Sequence, residues 1–428
     1  MAKNTNLDLR NKVIYQVFPR QYSSTHDFNG VIKDLDRIKD LNVDYLYLLP
    51  IHPIGEVARK GSVGSPYSIK DYRSINKDYG GAGDFIKLIN ECHKRNIKVI
   101  MDIVFNHTSR DSVLIDVHPE WYIVDENGNF KNRVGDWSDI TDFNFECEET
   151  YAYLINTLKM YMSMGVDGFR CDVAPLIPLS FWKIAIPICK EQNKDVIFIG
   201  ESVDSAFIKH LRDEGYEVSS DGELFTLFDA LYDYDIYRYL ENYFKGTSSL
   251  NRYLEEVLLQ EGRFNKDYCK MRYIDNHDFG SAFELVKDKN KLLNVLGMLS
   301  FFKGMFFIYN GVECKTSHRL DLFEIDEINW NDLDLDVVSL LKKLTEFKKN
   351  NIFIDGIFNV DFINENAATL RLKNKDEEYY GIFNFDYENK VKVNLEDNEY
   401  LDILSNKMIK VKDSYIESNL EPIILKLA

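Results

Sequence analysis

Carboxylates, imidazoles and one guanidinium recur in this sequence at the ends of short apolar runs. DIVFNH carries Asp102, Asn106 and His107, and GFRCD carries Arg170 and Asp172. The last two are two apart and so face the same side of an extended chain. IGES brings Glu201, and YIDNHD brings His277 and Asp278. Three carboxylates (Asp172, Glu201, Asp278), two histidines and an arginine on one rim suit acid–base and nucleophilic work at a sugar. Taken singly, each has a plainer structural use. A strand-end acid caps a turn, an Asn-His pair hydrogen-bonds in a core, and Arg170 ties two strands together. What points to chemistry is that all of them follow strands.

Eight β-rich runs are expected to supply those strands: 13–18, 43–49, 98–105, 168–172, 196–200, 224–228, 271–274 and 305–309. Helical patterns lie between them, for example over 83–96 and 149–164. Near-continuous apolar strands alternating with amphipathic helices read as a parallel sheet covered on both faces. Eight such units predict an α/β fold, a closed (β/α)8 TIM-type barrel, whose sites sit at the C-terminal strand ends. The polar, turn-rich stretch 108–148 shows no clear helix and is expected to be a short excursion after the third strand. From 353 the pattern changes to alternating runs (ATLRLKN, EYYGIFNF, KVKVNL, YLDIL, EPIILKLA), which predict a C-terminal antiparallel β-sandwich-like domain over 353–428. The catalytic barrel is then 1–352, with 108–148 as its inserted subdomain.

The chain has 428 residues, 45% of them hydrophobic, and a formal net charge of −18. Such acidity repels phosphate backbones, so neither nucleic acid nor an anionic membrane is an expected partner. The opening MAKNTNLDLRNK has no apolar segment of the kind a leader needs. Leu292–Val312 is the most apolar stretch, but Asn294, Lys303 and Asn310 interrupt it, so it predicts a buried helix and strand. Six scattered cysteines without a C-x-x-C pair fit reduced thiols and a cytoplasmic location.

The four motifs DIVFNH, GFRCDVA, FIGES and YIDNHD together resemble the signature regions of the α-amylase family, glycoside hydrolase family 13. VIYQVFPRQY (13–22), SPYSIKDYRSINKDYGG (65–81), ITDFNFE (140–146) and GMFFIYNGVE (304–313) agree with it in order. The resemblance implies a retaining glycosidase with Asp172 as nucleophile, Glu201 as general acid/base and Asp278 as third carboxylate. It also implies that His107 and His277 bind hydroxyls of the reacting sugar, that Tyr67 stacks on it, and that Arg170 and Asp102 support the group. The implied substrate is an α-glucan oligosaccharide such as a maltodextrin. Transfer to a sugar acceptor, or an inactive sugar- or protein-binding homologue, are the alternatives. Oligomeric state has no signal in the sequence.

The chain departs from that pattern in two places. Pro175 and Leu176 stand where the family has a Lys-His pair that contacts the next sugar and helps bind calcium. Asn106 resembles a calcium ligand, but the 6–8 oxygens the ion needs are not gathered in the sequence, so no metal and no cofactor is expected. Gly64 replaces an acid found three residues before the tyrosine in relatives that trim terminal glucose, which argues against strict exo-glucosidase action.

Overall fold

The structure is a computed structural model that describes residues 7–387, 389–418 and 420–427. The first half of the opening segment (residues 1–6) and Ala428 of the last apolar run lie outside the described residues. Eight parallel strands close a barrel: β1 (Val13–Val17), β2 (Tyr45–Leu48), β3 (Lys98–Ile103), β4 (Gly168–Cys171), β5 (Ile197–Gly200), β6 (Ala230–Tyr232), β7 (Lys270–Arg272) and β8 (Met305–Tyr309). Each pairs with its sequence neighbours, and β1 pairs with β8 to complete the ring.

Alternation along the strands explains the barrel's two apolar layers. Ile14, Tyr47, Ile100, Ile199, Tyr232 and Phe307 fill the interior. Val13, Leu46, Val99 and Phe169 point outward into the layer beneath the helices. Arg170 lies beside Asp102 in the β3–β4 register and is 1% exposed. Room inside is tight: a Cβ on Gly168 would come within 2.6 Å of Ile197 Cγ1, so only glycine fits there.

The expected sixth strand, 224–228, is instead the last residue of a short helix and the turn that follows it. Ser220 and Glu223 cap a short helix over Asp221–Leu224, and Phe228 N bonds back to Leu224 O. Leu224 and Phe228 are four apart, which is helical spacing, whereas the aromatic composition of LFTLF reads as strand. The sixth strand is Ala230–Tyr232 instead. Asp229 introduces it, accepting from Phe198 N on β5 at 2.8 Å. The most apolar stretch forms the helix Lys289–Phe301 followed by β8, both buried.

The excursion between β3 and β4 is a two-stranded hairpin (His107–Ser109 with Ile140–Asp142) enclosing a short helix over Val113–Val117, a helical turn that the sequence reading leaves out. Beyond the barrel come β9 (Ile357–Val360), β10 (Ala367–Lys373), β11 (Glu378–Asn384), β12 (Lys390–Lys392), β13 (Glu399–Asp402), β14 (Lys407–Lys410), β15 (Tyr415–Glu417) and β16 (Ile423–Lys426). An antiparallel sheet runs β9-β10-β11-β16-β13-β14, and the β12–β15 ribbon lays Val391 and Ile416 on its Tyr380, Ile382 and Leu425. The sheet's other face meets the barrel through Phe383 on Phe301, with ring centroids 5.9 Å apart. No helix of the described residues is long and apolar enough to cross a membrane, and all six cysteines are free.

Candidate active site

Every strand-end residue singled out above arrives at one rim. Arg170 organises it. Its Nη1 donates to Asp172 Oδ1 at 2.7 Å and to both oxygens of Asp102 at 2.9 and 3.1 Å. Its Nη2 lies 2.7 Å from Glu201 Oε1, an ion pair without the alignment of a hydrogen bond. One buried cation therefore touches three buried carboxylates.

Asp172 and Glu201 are held differently. Burial pushes the Asp172 carboxyl up to about 7, opposed chiefly by Arg170. Glu201 is pushed further above the usual range by burial, with Asp172 and Asp278 adding repulsion. The aligned, charge-assisted bond goes to Asp172, so the shared proton rests on Glu201. Glu201 Oε2 instead accepts from Val173 N at 2.7 Å. That N–H points at it because Val173 sits in the left-handed region (φ 35°, ψ 47°), a strained place for a β-branched residue.

Asp278 is the open member, with 37% of its side chain exposed. Tyr234 donates to its Oδ2 at 2.8 Å, and Asn276 Oδ1 accepts from its backbone N–H. Although burial raises its pKa, His277, Arg170 and the Tyr234 bond together hold it below the ordinary aspartate range. Gln16 on β1 donates to His277 Nδ1 at 3.1 Å, which leaves the ring proton on Nε2, 2.5 Å from the Tyr67 hydroxyl. Tyr67 donates onward to Asp102 Oδ2 at 2.8 Å, as Tyr47 does at 2.6 Å. Burial lowers both His107 and His277 to about 4, so both rings are neutral at neutral pH. His107 reaches the Tyr67 backbone and has its ring 5.6 Å from that of Trp137.

Asp102, Tyr67, Arg170, Asp172, Glu201, His277 and Asp278 thus form one linked group, with His107 at its edge. Sequence reasoning missed Gln16, Tyr47, Tyr234 and the Val173 turn. Tyr234 was within reach, since it stands two residues past the true sixth strand; setting that strand at 224–228 hides it. The residues near Asn106 do not fit a calcium ion. Asn106 Oδ1, Asp142 Oδ2 and the Leu176 carbonyl converge, but Arg133 N–H groups already occupy all three. Among the described residues no group of His, Cys, Asp and Glu is arranged to hold a metal.

Known proteins resemble this chain along its whole length. Residues 16–118 match the family model "Alpha amylase, catalytic domain", and 359–425 match "Bacterial Alpha amylase C-terminal domain". The crystal structure of an alpha-amylase from Lactobacillus plantarum superposes with a TM-score of 0.95 at 39% identity, over 99% of this chain and 100% of that one. A noncanonic maltogenic alpha-amylase, AmyB from Thermotoga neapolitana, gives 0.87 at 30% identity over 98% and 99%. Among curated relatives, an alpha-1,4-glucan:maltose-1-phosphate maltosyltransferase of Picrophilus torridus is 32% identical across 51% of this chain. The match spans only 39% of that relative, and 35% of a trehalose-6-phosphate hydrolase of Bacillus subtilis that is 34% identical.

Proposed function

The chain belongs to the α-amylase family, and from that premise we propose that it hydrolyses α-glucosidic bonds of short α-glucans such as maltodextrins, with retention at the anomeric carbon. The observation that carries this reading is the single guanidinium of Arg170 set 2.7 Å from both Asp172 and Glu201. Two carboxyls sharing one cation are close neighbours, and retention needs them about 5–5.5 Å apart.

Ionised Asp172 attacks the anomeric carbon as the bond to the glycosidic oxygen breaks, and Glu201 gives its proton to that leaving oxygen. Water then adds to the same carbon, surrenders a proton to Glu201 and releases Asp172. Asp278, kept ionised and open to the cleft, binds hydroxyls of the ring as it distorts toward an oxocarbenium ion. Neutral His277 and His107 give their N–H groups to Tyr67, holding that ring in place without adding positive charge beside the cation. Tyr67 presents an aromatic face to the sugar's C–H face. Proton NMR of a maltooligosaccharide digest tests the proposal: the first product is expected as the α-anomer, and an initial β-anomer overturns it.

A second reading, transfer to a sugar acceptor, has one observation in its favour. Val173 and Leu176 join Val134, Trp137, Val203, Phe207 and Tyr216 in an apolar cluster beside the nucleophile's turn. Val134, Trp137, Val203, Phe207 and Tyr216 are its partly exposed members, and an apolar pad there favours a pyranose over water. With maltotriose as sole substrate, transfer yields longer chains and hydrolysis yields only shorter ones. The cytoplasmic location belongs to the same reading, supported by six unpaired thiols.

A further inference from the structure

Arg133 lies in the polar stretch between β3 and β4 and is almost fully enclosed, its side chain 9% exposed beside an Asp142 that is 1% exposed. Each arm of its guanidinium is used. Nε donates to Asp142 Oδ2 at 2.7 Å, Nη1 to the Leu176 carbonyl at 2.8 Å, and Nη2 to Asn106 Oδ1. Those oxygens come from three separate pieces of chain: the excursion's hairpin, the turn after Asp172, and the end of β3.

A guanidinium only donates, so Asn106 must turn its oxygen toward Arg133. Its Nδ2 then faces the other way, 3.3 Å from Asp142 Oδ1 and 3.0 Å from His107 Nδ1. An Nδ1 that accepts leaves the proton of the neutral ring on Nε2. Arg133 is thereby linked, through one amide, to the tautomer of a histidine at the candidate active site.

We infer that Arg133 is a positioning residue, a built-in cation that gathers the three oxygens a metal ion would otherwise gather and so orients Asn106, His107 and the turn after Asp172. Its planar, permanently charged fork suits three oxygens in different directions, which a lysine's point charge does not. One positive charge also matches one buried carboxylate, whereas a divalent ion would leave an excess. The inference concerns the site proposed above, but thermal unfolding reads it whether or not glucan is the substrate.

The test uses the full chain. The parent's unfolding temperature and kinetics are expected to be indifferent to chelator and to added calcium. Arg133→Ala strands Asp142 and is expected to unfold several degrees lower, with kcat/KM down about 10–100-fold. Added guanidinium ion should restore part of both, where sodium chloride of equal ionic strength should not. Arg133→Lys should fall between parent and Arg133→Ala. Loss of parental stability on chelation, regained with calcium, overturns the inference; so do Ala and Lys variants that both match the parent. If Arg133→Ala does not fold, the chelation arm and the Lys variant decide. Absence of any glucan cleavage sinks the proposed function alone, since the unfolding and guanidinium arms still report on Arg133.

Discussion

Replacing Asp172, the proposed nucleophile, should make the protein more stable at alkaline pH while abolishing its chemistry. Burial moves Asp172 from 3.8 to about 7, roughly three units. In the unfolded chain the carboxyl ionises at about 3.9, so the native state holds its proton longer than the unfolded state does. The native form is therefore favoured at low pH, and that advantage disappears as pH rises through about 7. At about 1.4 kcal/mol per unit, the ionised carboxylate costs the fold about 4 kcal/mol above that pH. Asp172→Asn stands in for the protonated acid and removes the cost. Unfolding entropy of about 2.1 cal/mol/K per residue makes 1 kcal/mol worth roughly 1 °C in a chain of this length. The variant should thus unfold up to about 4 °C above the parent at pH 8, and the two curves should converge near pH 4. Calorimetry or intrinsic-fluorescence melts across that range provide the assay. A variant below the parent at pH 8, or an offset that ignores pH, would refute the claim that Asp172 is held ionised against its surroundings.

Other outcomes follow from the same geometry. Glu201→Gln should lose turnover by about 10²–10⁴-fold on oligosaccharides, and far less on glycosyl fluorides, whose leaving group needs no proton; equal losses on both would deny Glu201 the acid's role. The acid limb of kcat/KM should lie near 7, because activity needs Asp172 ionised and is lost as pH falls through its raised pKa; a limb at 4 would contradict the burial argument. Tyr234→Phe removes a donor from the ionised Asp278, a bond worth about 1.5–3 kcal/mol, so kcat/KM should drop roughly 10–150-fold with little change in melting.

Much of this site was readable because catalytic groups of a barrel sit at strand ends, and most of the strands announce themselves as apolar runs. GFRCD shows the strength of that logic: two-residue spacing puts Arg170 and Asp172 on one side, and they meet at 2.7 Å. The misplaced sixth strand shows its limit. Leu224, Phe225 and Phe228 look like strand residues by composition, but the Ser220–Glu223 cap and the bond from Phe228 N to Leu224 O make them a helix end and its closing turn. That error hides Tyr234 and its bond to Asp278. Gln16 and Tyr47 stay invisible for another reason. Each sits inside an apolar strand, and only closure of the barrel shows that it points at His277 or Asp102. Arg133 is harder still, since its partners lie 27, 9 and 43 residues away.

At the centre of the account is a covalent bond between Asp172 and a sugar. The direct measurement is mass spectrometry of peptides from enzyme treated with a fluorine-substituted maltosyl fluoride, which accumulates the glycosyl-enzyme. One added sugar is expected on the peptide carrying Asp172. A sugar attached to any other residue, or turnover with no attached sugar at all, would contradict it.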